Sequence, residues 1–87
     1  MNPRPLMVEP LDDYELLITF KNGESKIYDV KPLLELPIYQ RLTNKGFFDT
    51  VKVDNICICW NDDIDLCPDM VYEDSDPIGE VFLEEKL

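Results

Sequence analysis

The clearest hydrophobic pattern in the chain is Tyr14 to Val30, YELLITFKNGESKIYDV: an apolar alternation, an Asn-Gly pair, and a second alternating run. Asn-Gly between two such runs predicts a β-hairpin. Leu16, Ile18 and Phe20 share a face, because strand side chains alternate with a period of two. A two-residue loop would set Phe20 against Ser25 and Ile18 against Ile27, leaving Asp29 on the core face and Tyr28 and Val30 outside. A three-residue loop, Lys21-Asn22-Gly23, sets Phe20 against Glu24, Leu16 against Tyr28 and Tyr14 against Val30. This second register keeps Tyr28 and Val30 with the core. It needs a residue at positive φ, which Gly23 supplies without steric cost. It is the register expected, with Gly23 as a structural residue.

The remaining pattern adds elements to this hairpin. Arg4 to Glu9 reads as a short edge strand, its ladder limited by Pro3 and Pro5, and Pro10 to Asp13 as a turn. Pro32 suits the first position of a short helix that Pro37 interrupts. Ile38, Tyr39 and Leu42 continue the helical spacing, and Gly46 is expected as a left-handed stop. Phe47 to Val53 and Ile56 to Trp60 read as strands joined at Asp54-Asn55. Ile56, Ile58 and Trp60 would face the core, opposite Cys57 and Cys59. Ile64 to Leu66 reads as a return strand and Pro68 to Tyr72 as a helical turn with Asp69 near its positive end. Asp29-Val30-Lys31-Pro32 and Asp65-Leu66-Cys67-Pro68 echo one another. Both aspartates are therefore read as structural, each carboxylate accepting the backbone N–H two residues on.

These elements make an α+β fold: a small, mainly antiparallel β-sheet of about five strands with two or three short helices. Residues 1–73 form the single domain. Residues 74–87 form an acidic C-terminal tail. It is either disordered or a short helix started by Asp76-Pro77, with Ile78, Val81 and Phe82 on one face.

Composition changes this picture chiefly through charge. The net charge is −11, but residues 1–60 hold nine acids against seven bases, and residues 61–87 hold ten acids against Lys86 alone. Such a stretch is either a solvated, solubilising end or a surface for a basic protein partner. The second reading selects Asp62, Asp63 and Asp69, with Ile78, Val81 and Phe82 as an apolar anchor. Direct nucleic-acid binding is disfavoured, since phosphate contacts need clustered Lys and Arg. No apolar run approaches the roughly 20 residues of a membrane span. The first residues lack the apolar region of a signal peptide. A cytoplasmic protein without membrane association is expected.

Little catalytic chemistry is visible. There is no histidine, the commonest general base and the usual activator of Ser or Cys. The three glycines make no phosphate-binding motif. Three cysteines cannot all pair within one chain, and Cys57, Cys59 and Cys67 lack zinc-site spacing, so reduced thiols without metal are expected. No cofactor is expected. The competing functional reading is a carboxylate-dependent enzyme or a divalent-metal protein using the Asp62–Asp69 cluster.

Several pieces, in this order, resemble a known bacterial family: Phe20…Asn22-Gly23-Glu24, Tyr28-Asp29-Val30, FFDTVKVDN, Trp60, and Asp65-Leu66…Pro68…Tyr72. They are similar to the domain-of-unknown-function family numbered 2442 over about residues 6 to 73. The resemblance implies an α+β domain without a known activity. Some members are fused to helix-turn-helix domains or encoded beside a second small protein, which implies toxin–antitoxin pairs. This chain has no helix-turn-helix segment, and its cysteines and acidic tail lie outside the shared pattern. Together with the charge layout, the resemblance gives a non-catalytic protein-interaction module, the antitoxin-like half of a pair, as the expected function.

Overall fold

Gly23 closes the hairpin at φ +93°. The Gly23 N–H donates to the Phe20 carbonyl at 2.9 Å, and the Phe20 N–H donates to Glu24 O at 2.8 Å, so the loop is the three-residue one. The Asn22 side chain accepts the Glu24 N–H at 3.0 Å and stiffens the turn. The register that follows pairs Leu16 with Tyr28 and Ile18 with Lys26, across β2 (Glu15–Phe20) and β3 (Ser25–Asp29). At the far end the Val30 N–H meets Tyr14 O at 3.0 Å. Leu16, Ile18, Phe20, Tyr28 and Val30 are consequently buried on one face.

The computed structural model describes residues 2–61 and 64–77. Among these residues the chain forms seven strands in two antiparallel sheets, with two short α-helices and 3-10 turns, an α+β fold. In the first sheet β1 (Pro5–Leu11) is an edge strand on β2, and β7 (Asp76–Pro77) pairs with β3, giving the order β1-β2-β3-β7. The second sheet is β4 (Lys52–Asp54), β5 (Cys57–Cys59) and β6 (Asp65–Leu66). β1 also lies against β4 and β5, so the two sheets share one core. The later strands thus build a sheet of their own instead of extending the first. Among the described residues, β7 is the later strand that joins the hairpin sheet.

Two local expectations are corrected. Phe47 to Val53 is not one strand: Lys45–Phe48 is a helical turn, α1, and only Lys52–Asp54 is extended. Gly46 does not stop a helix at positive φ but lies inside α1. The cause is Asn44, whose side chain accepts the Phe47 N–H at 3.1 Å and caps the turn. Lys45 adds an ion pair with Asp49 one turn on, at 2.6 Å. The segment after Val30 is helical as expected, but of 3-10 type, Lys31–Glu35 and Pro37–Thr43. Pro37 holds Leu36 at ψ 136°, and the bonds on either side of the break span only three residues.

Aromatic rings tie the elements together. The buried Trp60 indole N–H donates to the Phe48 carbonyl at 2.8 Å, joining the end of β5 to α1. Phe48 meets Trp60 at 6.0 Å between centroids and the Tyr14 ring edge-on at 5.2 Å. Tyr14 itself has φ +59°, next to Asp13 at φ +65°, a left-handed pair without glycine. Such backbone costs about 1–2 kcal/mol per residue. It is offset by the Tyr14 hydroxyl, which donates to Thr43 O, and by Lys31, which donates to the Asp13 carbonyl at 3.1 Å and pairs with the Asp13 and Asp29 carboxylates.

A Cβ added at Gly23 would meet nothing within 4 Å, so substitution there isolates the backbone cost. Gly23→Ala should lower the unfolding free energy by about 1–2 kcal/mol, read from the urea midpoint. A change within a few tenths of a kcal/mol, the usual range for a surface substitution, would mean that the turn does not require positive φ.

Candidate functional site

The most distinctive exposed charge is carried by three consecutive elements, β6, α2 (Pro68–Asp74) and β7. Proline opens α2 at a position that needs no N–H donor, and Asp69 sits in its first turn, beside the positive end of the helix. Asp65, Asp69, Glu73, Asp74 and Asp76 are all exposed, and none forms an ion pair with a described residue. No Lys or Arg lies between Lys52 and Lys86 to neutralise them locally. Asn2 donates to Asp69 at 3.4 Å and to Glu73 at 3.1 Å, joining the N-terminal end to this face.

The face is held in place by a cluster around Tyr72. Because Ile18 pairs with Lys26, the register turns this lysine toward the core, where it is only 9% exposed. Its stem packs inside while its ammonium donates to Tyr72 O at 2.7 Å and lies 3.8 Å from the centre of the Tyr72 ring. The Tyr72 ring meets Phe20 edge-on at 4.9 Å, and its hydroxyl donates to the Glu24 carboxylate. Asn22 donates to the same carboxylate at 2.6 Å. These two hydrogen bonds, that from Tyr72 first, hold the Glu24 carboxyl below its ordinary pKa. The bond to Glu24 likewise raises the Tyr72 phenol, since the phenolate would lose it. Ser75 is buried behind α2, its hydroxyl on Tyr72 O at 3.2 Å.

A shallow cleft of about 370 Å³ opens on the outer side of the second sheet, lined by Asp54, Asn55, Cys57, Cys59, Asn61 and Asp65. Residues paired across strands share a face, so Lys52 and Asp65 stand beside Cys59, and Asp54 beside Cys57. Burial is the main reason that the Cys59 thiol has a raised pKa. All three cysteines are free thiols.

The residues singled out in the sequence fall in several places. Gly23 makes the turn, and Trp60 joins β5 to α1. The Asp29 carboxylate accepts the Lys31 N–H at 3.0 Å, which is the expected Asx-turn. The exposed Asp65 makes no such bond to Cys67; its backbone carbonyl accepts the Tyr39 hydroxyl at 3.4 Å. Asp69 is on the acidic face. Asp62, Asp63, Ile78, Val81 and Phe82 lie outside the described residues. Asp65 and Asp69 stand on different elements, β6 and α2. Among the described residues no group of three or more Cys, Asp or Glu side chains is placed to hold a metal ion. Nor does any helix there reach the length and apolarity of a membrane span. The cluster that the sequence reading missed is Glu24–Lys26–Tyr72. Its signal was present, since the three-residue loop itself sets Lys26 opposite Ile18.

The Glu24 carboxyl is depressed, so its contribution to stability is present above the unfolded pKa and is lost as pH falls through the folded one. Unfolding free energy should therefore fall as pH drops below the ordinary glutamate value of about 4.3. Tyr72→Phe should flatten the Glu24 part of that decline, visible as a smaller downward shift of the Glu24 carboxyl pKa in an NMR titration. An unchanged Glu24 titration would remove the bond from the account.

A family profile described as "Protein of unknown function (DUF2442)" matches residues 6–77. No curated protein and no solved structure matches the chain. The matched span runs from β1 through β7 and contains the hairpin, the Tyr72 cluster and the described acidic face. The chain therefore belongs to DUF2442, a family of proteins of unknown function.

Proposed function

We propose that this protein is a non-catalytic interaction module that binds a basic protein partner through its acidic β6–α2–β7 face. The observation that carries this reading is a set of five exposed carboxylates on three consecutive elements, Asp65, Asp69, Glu73, Asp74 and Asp76, none of them ion-paired with a described cation. Charge of one sign on one side creates a local negative field, which accelerates encounter with a basic surface more than it adds final affinity. The face belongs to the folded domain: Tyr72 pins α2 to the hairpin and β7 pairs with β3, so these carboxylates are presented in a fixed arrangement. Asp62 and Asp63 would extend the face, and Ile78, Val81 and Phe82 would supply the apolar anchor that charge alone does not. In its finer form, drawn from the toxin–antitoxin arrangement that the family implies, the chain is the antitoxin-like half of a pair and its partner a basic toxin. The setting is cytoplasmic, without direct nucleic-acid contact.

The test begins with what co-purifies with the chain from its native host at low salt. A basic protein released by salt is the expected result. Its association rate should fall steeply as ionic strength rises and the screening length drops below about 10 Å. Neutralising Asp69, Glu73, Asp74 and Asp76 to Asn or Gln should slow association and flatten that salt dependence, with the thermal unfolding curve little changed. A partner bound equally fast by the neutralised protein, with the same salt dependence, would overturn the reading.

A further inference from the structure

The outer side of the second sheet carries a donor pair, in a cleft that shares Asp65 with the acidic segment. Cys57 and Cys59 are two apart on β5 and so project from the same side, opposite the buried Ile58. Both line the cleft of about 370 Å³. We propose that Cys57 and Cys59 form a two-coordinate thiolate site for a soft monovalent cation, Cu(I).

The geometry argues first against a disulfide. Same-side residues of a strand are about 6.6 Å apart with nearly parallel Cα–Cβ bonds. A disulfide needs Cβ atoms at about 3.5–4.5 Å. The strand therefore keeps the two thiols from pairing with one another while presenting both to the same cleft. Ligand chemistry then selects the ion. Zinc in a structural site takes four ligands in a tetrahedron. Among the described residues no third Cys, Asp or Glu converges with these two. Calcium and magnesium need more oxygen ligands still. Cu(I) is soft, prefers thiolate, and is satisfied by two sulfurs in line.

The surroundings hold charges of both signs. Binding would release the two thiol protons and leave a bis-thiolate complex of net charge −1. Lys52, paired with Cys59 across the strands, offsets that charge, while Asp54 and Asp65 draw a cation into the cleft. Cys67 is exposed and follows β6, outside the lining of the cleft, so it has no part in the site. This assignment departs from the expectation of reduced, metal-free cysteines, which was drawn from their odd number and their lack of zinc-site spacing.

The full chain, reduced and kept free of oxygen, should be titrated with Cu(I) against a chromophoric Cu(I) chelator. Native mass spectrometry would read stoichiometry and X-ray absorption would count the neighbours of the ion. One Cu(I) per chain with two sulfur neighbours is expected. Cys57→Ser should lose this complex and Cys67→Ser should keep it. Cys59 is nearly buried, so its replacement can disturb the fold; Cys57, half-buried, carries the test, with circular dichroism showing that the variant is folded. Equal binding by Cys57→Ser, loss in Cys67→Ser, or a copper-bridged pair of chains would overturn the assignment.

Discussion

The register of the β2–β3 hairpin is the constraint on which the other contacts depend. Gly23 at positive φ turns the chain in three residues, and that count decides which side chains of β3 face Leu16, Ile18 and Phe20. A one-residue slip would send Tyr28 and Val30 out to solvent. The same count places Lys26 against Ile18, inside an apolar face, where an ammonium without a partner would be costly. Tyr72 meets that need with its carbonyl and its ring, and α2 is fixed to the hairpin as a result. β7 then follows on the free edge of β3, pairing with Lys26 and Ile27. One glycine thus determines contacts nearly fifty residues away.

This chain of dependence also explains how much of the fold could be read in the sequence. The hairpin was legible because turn chemistry and period-two patterning agree on one register. The Asp29 turn and the proline entry to α2 were legible for the same local reason: a side chain or ring sets the backbone within two or three residues. Phe47 to Val53 was not, because aromatic and β-branched residues favour a strand while a single cap at Asn44 tips four residues into a helix. Tyr14 at positive φ was invisible too. The strain of the Asp13–Tyr14 pair is offset by Phe48 and Thr43 on Tyr14 and by Lys31 on Asp13, all remote in sequence. The division into two sheets likewise arises from packing between β1 and β4, which no local pattern records. Of the candidate site, the acidity was plain from composition, whereas Lys26 and Tyr72 needed the register to be followed one pair further.

The two sides of the molecule differ in chemistry for a reason that the fold makes concrete. Four of the described cations are engaged away from these carboxylates: Lys26 on Tyr72, Lys31 on Asp13 and Asp29, Lys45 on Asp49, and Arg41 over the Phe47 ring. Among the described residues, the carboxylates of β6, α2 and β7 form no ion pair. They are mounted on elements held by buried contacts at Phe20, Lys26 and Val71, so exposed charge stands on a rigid support. An arrangement of this kind suits rapid recognition by charge.

The central claim is the three-residue register, and interstrand NMR contacts test it most directly. In an antiparallel pair, residues at non-hydrogen-bonded positions bring their Cα atoms to about 4.5 Å, against about 5.5 Å at bonded positions. Since Phe20 bonds Glu24 and Val30 bonds Tyr14, the non-bonded positions include Leu17 with Ile27 and Thr19 with Ser25. Strong Hα–Hα cross-peaks for those two pairs are the result predicted. Cross-peaks pairing residues one position out of step, Ile18 with Ile27 or Phe20 with Ser25, would establish the two-residue loop. They would contradict the placement of Lys26, Tyr72 and everything that rests on them.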